Sequence, residues 1–226
     1  MKKLSLLFAI LISAAAGFAE TNAPAVASVE AEYTAKIAAR TLDITKTLGV
    51  ADAGKSNQVF TALVTQYRAL RDWHDFNDPK LKTLAKSATD EAKAAAEKIR
   101  ASLLPLREKF LAALAAELSP AQVEQVKDKM TYNKVQVTYN AYVEIIPALT
   151  AAHKAHILEL LKTAREEAID GGSAEEKSAI FKKYKGKINN YLSKEGVDES
   201  KARKEWSEKQ KAKKTAEDAK PAEAVK

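Results

Sequence analysis

Apolar residues recur at steps of three and four along nearly the whole chain, and this spacing constrains the fold more than any other feature. Tyr33, Ile37, Ile44 and Leu48 form one such stripe, and Val59, Leu63, Tyr67 and Leu70 form a second. Leu103, Leu106, Phe110 and Leu114 continue the pattern, as do Ile157, Leu161, Ala164 and Ala168, with His153 in phase, and then Phe181, Tyr184, Ile188 and Leu192. A 3.6-residue period turns each stripe into one face of a helix. Alanine, leucine, lysine and glutamate dominate, and these are strong helix formers. Only seven glycines and six prolines occur in 226 residues, too few for the many turns of a sandwich or barrel. The expectation is an all-α, single-domain bundle of six or seven helices with one long kinked helix and a frayed C-terminal tail. With no cysteine in the chain, packing alone must hold it, and thiolate chemistry and thiolate metal sites are excluded.

Punctuation places the elements. Ser28 is positioned to cap the first helix, which Gly49 ends. A second helix should run from about Asp52 to Asp75, stopped at Asn77-Asp78-Pro79 because Asp caps and Pro suits a first helical turn. The long third helix, about Pro79 to Glu117, should face inward through Leu81, Ala85, Ala88, Ala92, Ala95 and Ile99. It should kink at Pro105, whose ring crowds the carbonyl of Ala101. Ser119-Pro120-Ala121-Gln122 is a capping box. Met130 to Val137 reads as a packed loop, since Val135 and Val137 alternate without a second strand to pair. A short helix through Tyr139, Tyr142, Val143 and Ile146 follows, ended by Pro147. Thr150 caps the next helix, Gly171-Gly172 closes it, and Ser173-Ala174-Glu175-Glu176 reads as a full capping box for the last core helix.

The ends differ from this body. Met1-Lys2-Lys3, the apolar run Leu4–Ile12 and Gly17-Phe18-Ala19 have the charge, length and small residues of a secretory signal peptide cut between Ala19 and Glu20. The run is too short for a permanent membrane span. Residues 20–27 read as a flexible leader, 28–197 as the helical domain and 198–226 as a charged helical or disordered tail. The expected location is therefore the periplasm or the medium, with no membrane span in the mature chain. Removing nineteen of 226 residues leaves 207, enough for one sizeable core. The removed segment carries two lysines and no acid, so the formal net charge falls from +7 to +5. Outside the cytoplasm such a mild positive field fits acidic polysaccharide or another envelope component, not nucleic acid.

Three constellations bear on function. His153 and His156 could share one helix face with Glu159 a turn further, but a metal site needs a third ligand in fixed geometry and His153 lies in phase with the apolar stripe, so neither metal nor cofactor is expected. Asp72-Trp73-His74-Asp75 could pair an imidazole with a carboxylate for acid–base work, Trp73 offering a face to a sugar. Neighbours on a helix point to different sides, however, and no nucleophile partners His74. Surface ion pairs, with Trp73 capping the bundle, are the favoured reading. Lys177, Lys182, Lys183, Lys185 and Lys187 form a basic run followed by Asn189, Asn190 and Tyr191. These could grip an anionic glycan or form a solvated face over Phe181, Tyr184 and Ile188. Gly186 inside this helix costs about 1 kcal/mol against alanine, which points to close packing or close approach there. No Ser-His-Asp order, phosphate loop, dinucleotide fingerprint or HExxH pattern is present.

Two resemblances add to this reading. Leu118-Ser119-Pro120-Ala121-Gln122 resembles the Leu-Thr-x-x-Gln motif of the Spy/CpxP periplasmic chaperones, small helical cradles. More broadly, Arg68-Ala69-Leu70-Arg71-Asp72-Trp73-His74, Lys127-Asp128-Lys129-Met130-Thr131-Tyr132 and the segment from Lys183 to Leu192 resemble the exported bacterial domain-of-unknown-function family 3826, over about Val29 to Val197. Association of that family with polysaccharide-degradation gene neighbourhoods points toward glycans and implies no mechanism. The functional expectation is a non-catalytic binding or accessory protein of the cell envelope that contacts acidic polysaccharide. Trp73, His74, Tyr132, Lys183, Lys185, Lys187, Asn189 and Asn190 are its candidate ligand-binding residues. The alternatives are a Spy-like periplasmic holdase and a glycan-active enzyme using His74 with Asp72 or Asp75.

Overall fold

A computed structural model describes the backbone of residues 23–218 and the side-chain surroundings of residues 28–215; the stretch read as a signal peptide, residues 20–22 of the expected leader and residues 219–226 lie outside the described residues, whereas the backbone of 23–27, read as part of that leader, is helical. The described residues are helical throughout: α1 (Ala23–Thr47), α2 (Ala53–Leu84), α3 (Asp90–Ala101), α4 (Leu104–Glu117), α5 (Pro120–Met130), α6 (Lys134–Ile145), α7 (Ala151–Ala168), α8 (Ala174–Lys194) and α9 (Glu199–Asp218). No described helix is long and apolar enough to cross a membrane. With α3 and α4 counted as one bent helix and α9 as the expected surface helix, the core has the expected number of rods. The chain divides into two compact units, one up to Arg40 and one from Thr41 onward. The first contributes the start of α1, where Thr34 Oγ1 donates to Glu30 across one turn.

The second unit is built around two apolar clusters. In one, Ile44 and Leu48 meet Val59 and Leu63 of α2, Phe110 and Leu114 of α4, and Val126 and Met130 of α5. In the other, Ile157, Leu161 and Ala164 of α7 pack with Phe181, Ile188 and Leu192 of α8 and with Tyr142 and Ile145 of α6. These are the residues at three-and-four spacing, and burying a Leu, Ile or Phe side chain stabilises by about 1.5–3 kcal/mol. From α9, Trp206 packs on the second cluster and its Nε1 donates to Glu144 at 3.0 Å.

Several boundaries depart from expectation. Helix α2 does not stop before Pro79 but runs through it to Leu84. Proline removes the donor for the Asp75 carbonyl, yet local bonds hold this turn helical. Asn77 Nδ2 donates to the Trp73 carbonyl at 2.9 Å, and His74 bonds Asp78 across one turn at 3.0 Å. The chain breaks instead at residues 85–89, where Thr89 caps α3. The expected kink falls at Ser102-Leu103, just before Pro105, through short-range bonds to the Ile99 and Arg100 carbonyls. On α3 the inward residues are Ala92 and Ala96, so Ala95 is off the face.

Of the segment 130–137 read as a loop, Met130 ends α5, 131–133 form a turn and 134–137 are the start of α6. Val135, Tyr139 and Tyr142 continue the helical stripe while Val137 points to solvent, so the Val–x–Val alternation misled. Tyr132 and Asn133 both adopt left-handed backbone, with φ of 60° and 53°, and reverse the chain between α5 and α6. Asparagine tolerates that region, whereas for tyrosine it carries strain. The capping boxes at Ser119 and Thr150 form, the second using His153 as its third-position side chain. At Ser173 only half the box forms. Ser173 Oγ accepts from the Glu176 N–H, but the Glu176 carboxylate takes the Gly172 N–H at 2.8 Å.

Candidate functional site

The elements of the two clusters are tied to each other by polar bonds, and these converge at the turn between α7 and α8. Asp170, one residue past the cap of α7, carries a side chain only 6% exposed. Its Oδ2 accepts from Nε of Arg107, on α4, at 2.8 Å and also from Nη2. Its backbone carbonyl meets Nε2 of His74, on α2, at 2.8 Å. Lys177, buried on the first turns of α8, donates its ammonium to the Ala168 and Ile169 carbonyls at 3.1 and 3.4 Å. The Ala168 carbonyl also accepts the Gly171 N–H at 3.1 Å, and a cation at a helix C-terminus meets the negative end of the helix dipole.

His74 is 7% exposed and held on both sides. Nδ1 meets Asp78 Oδ1 at 3.0 Å, with Glu176 Oε2 at 3.7 Å. A carbonyl and a carboxylate both accept, so both bonds form when each ring nitrogen carries a hydrogen. The ring also lies against Gly172, where an added Cβ would fall 2.7 Å from Cγ and Cδ2. This imidazole positions the α7–α8 turn. The expected partners Asp72 and Asp75 do not engage it: Asp72 pairs with its neighbour Arg71, and the carboxylate on the His74 face is Asp78, four residues on.

Beside this corner lies a recess of about 220 Å³, lined by Trp73, Asp78, Arg100, Arg107, Glu167, Asp170 and Glu176 over an apolar floor of Leu81, Leu103 and Ile180. Trp73 stands edge-on to His74 and donates its Nε1 to Ser102 at 2.8 Å. Asp170 Oδ1 is buried and has no hydrogen-bond partner among the described residues. Burial pushes the Asp170 carboxyl above the usual carboxylate range, against the pull of Arg107, Lys177 and His74.

Of the eight residues singled out from sequence, Trp73 and His74 share this recess. Asn189 and Asn190 instead line a polar depression at the α8–α9 junction with Ser193, Asp198 and Glu199. There Asn189 Oδ1 accepts from Tyr142 O–H at 2.6 Å, and burial, reinforced by the Glu199 charge against that of Arg203, pushes the tyrosine up to about 12. Lys183 bonds Glu167 at 2.9 Å, and both Lys183 and Lys187 lie over the Tyr184 ring. Lys185 is exposed, and Tyr132 sits half-exposed at the α5–α6 corner. Gly186 faces open space, so it marks no close approach. Lys177, grouped with this run, is interior. Asp78, Arg107, Asp170 and Gly172 were not anticipated; only Asp78 carried a sequence signal, its four-residue spacing from His74.

These features define a cysteine-free helical protein with a buried polar corner beside a small recess. The chain belongs to the family described as "Protein of unknown function (DUF3826)", whose model matches residues 34–212. No curated protein matches it.

Proposed function

We propose that the protein is exported and serves the cell envelope as a non-catalytic accessory protein, holding a hydroxyl-rich glycan unit in the Asp170 recess. The observation that carries this reading is Asp170 Oδ1, a buried acceptor left without a donor. A buried carboxylate oxygen calls for an O–H or N–H, and a water or a ligand hydroxyl supplies one. Arg100, exposed and without an ion pair among the described residues, adds donors at the rim, and the half-buried Trp73 adds an apolar edge against a sugar ring. The lining has four carboxylates against two guanidiniums and one imidazole, which suits neutral hydroxyls better than a polyanion. For that reason the proposed ligand is neutral, and Lys183, Lys185 and Lys187 are left outside the contact. A binding role suits His74 better than turnover does, because both of its nitrogens are already engaged within the fold.

Titration calorimetry with neutral and uronic-acid oligosaccharides tests the proposal. Neutral oligosaccharides should bind, Trp73→Ala and Arg100→Ala should each weaken them about tenfold, and no new reducing ends should appear. Absence of binding by the native protein across the panel, or steady release of product, would remove the proposal.

A further inference from the structure

A second concavity lies between α2 and α4 and shares no lining residue with the Asp170 recess. It is a groove of about 470 Å³, within the size range of small-ligand sites. Ala62 and Ala69 on α2 and Ala113 on α4 keep its walls low, and Leu106 and Phe110 give it an apolar floor. Two polar features break that surface. Gln66 is 5% exposed, lines the groove and makes no hydrogen bond among the described residues, so its primary amide is available to a ligand there. Lys109 is the only ionisable side chain in the lining; it is exposed and forms no ion pair among the described residues. No acid lines the groove.

We infer that the α2–α4 groove binds a single-chain anionic amphiphile, a molecule with an aliphatic tail and a carboxylate head. The tail lies along the alanine-walled floor. The carboxylate offers two acceptor oxygens, one for the Gln66 amide and one for the Lys109 ammonium. A cationic head would meet Lys109 in repulsion, and a glycan would leave its hydroxyls unpaired over Leu106 and Phe110. An extended peptide could satisfy Gln66 but has no need of a lone cation.

The test is calorimetric titration of the full-length chain with dodecanoate below its micellar concentration, beside dodecyltrimethylammonium, which has the same tail and the opposite head charge. Dodecanoate should bind one per chain and the cationic probe about tenfold more weakly or not at all. Lys109→Glu, on an exposed position that leaves the core intact, should weaken dodecanoate about tenfold and strengthen the cationic probe. Ala69→Trp should block both by filling the groove. Equal binding of the two probes, native-like dodecanoate binding by Lys109→Glu, or binding of an uncharged leucine- and alanine-rich peptide in place of dodecanoate would overturn the inference. The glycan reading is independent: Trp73→Ala should leave dodecanoate binding unchanged.

Discussion

Arg165→Ala should cost about 3 kcal/mol, read from urea unfolding near neutral pH, because it strips the cation from a buried ion network. Arg165 is 4% exposed in its side chain and bridges α7 to α5, bonding Glu124 and Asp128 while also pairing with Glu166. Lys127 closes the network through Glu124 at 2.8 Å and Glu166 at 3.0 Å. Without Arg165, three carboxylates face one lysine. Their partial exposure keeps the loss at the lower end for a broken buried pair. The pH dependence supplies a sharper signature. Burial would raise the Glu124 carboxyl, but the bonds and charges of Lys127 and Arg165 outweigh it and hold the group below its ordinary 4.5. A depressed folded value stabilises above the unfolded value and is lost as pH falls through the folded one. The native protein should therefore lose stability below about pH 4.5, and the variant should lose less there, so that the gap between them narrows on acidification. A gap under about 1 kcal/mol, or one independent of pH, would mean that the network is ordinary surface pairing.

Gly172→Ala should destabilise by about 2–3 kcal/mol, a large effect for one methyl group. The added carbon would lie 2.7 Å from His74 Cγ and Cδ2 and 3.2 Å from its Cβ. The ring cannot slide away freely, since Asp78 and the Asp170 carbonyl hold its two nitrogens. Either the imidazole leaves and both bonds break, or the α7–α8 turn shifts and takes Asp170 from Arg107. The same substitution at Gly186 is the control. That glycine is helical and nothing lies within 4 Å of its would-be Cβ, so alanine there should gain about 1 kcal/mol from helix propensity. Thermal unfolding of the two variants should shift in opposite directions; shifts of the same sign would show that the Gly172 contact carries no weight.

Much of this fold was legible because its signals are local. The apolar stripes of α2, α4, α7 and α8 depend on a period that neighbouring residues reveal, and the caps at Ser119 and Thr150 are read within four positions. Pro79 was misread because its rule assumes a bare backbone, whereas Asn77 and the His74–Asp78 pair hold the turn. The start of α6 was misread because Val135 and Val137 alternate, and only packing shows that Val135 alone turns inward. Ala95 and Ala96 are indistinguishable by composition, and only the packing of α3 shows that Ala96 faces in.

The site was less legible, since its makers are distant in the chain. Arg107 and Asp170 lie 63 residues apart, and His74 and Asp170 lie 96 apart. Nothing in either neighbourhood announces the other. Lys177 shows the same limit from the other side: within a run of surface lysines, it alone turns inward to cap α7.

Trp73 and Trp206 are the two tryptophans of the chain, so Trp206→Phe leaves Trp73 as the sole indole, at the edge of the Asp170 recess. Titrating that variant with neutral oligosaccharides while following its fluorescence tests most directly whether the recess is where the protein binds. A saturable change that Arg100→Ala weakens is the expected result. Flat fluorescence at concentrations where equilibrium dialysis records bound oligosaccharide would place the ligand elsewhere and contradict the account.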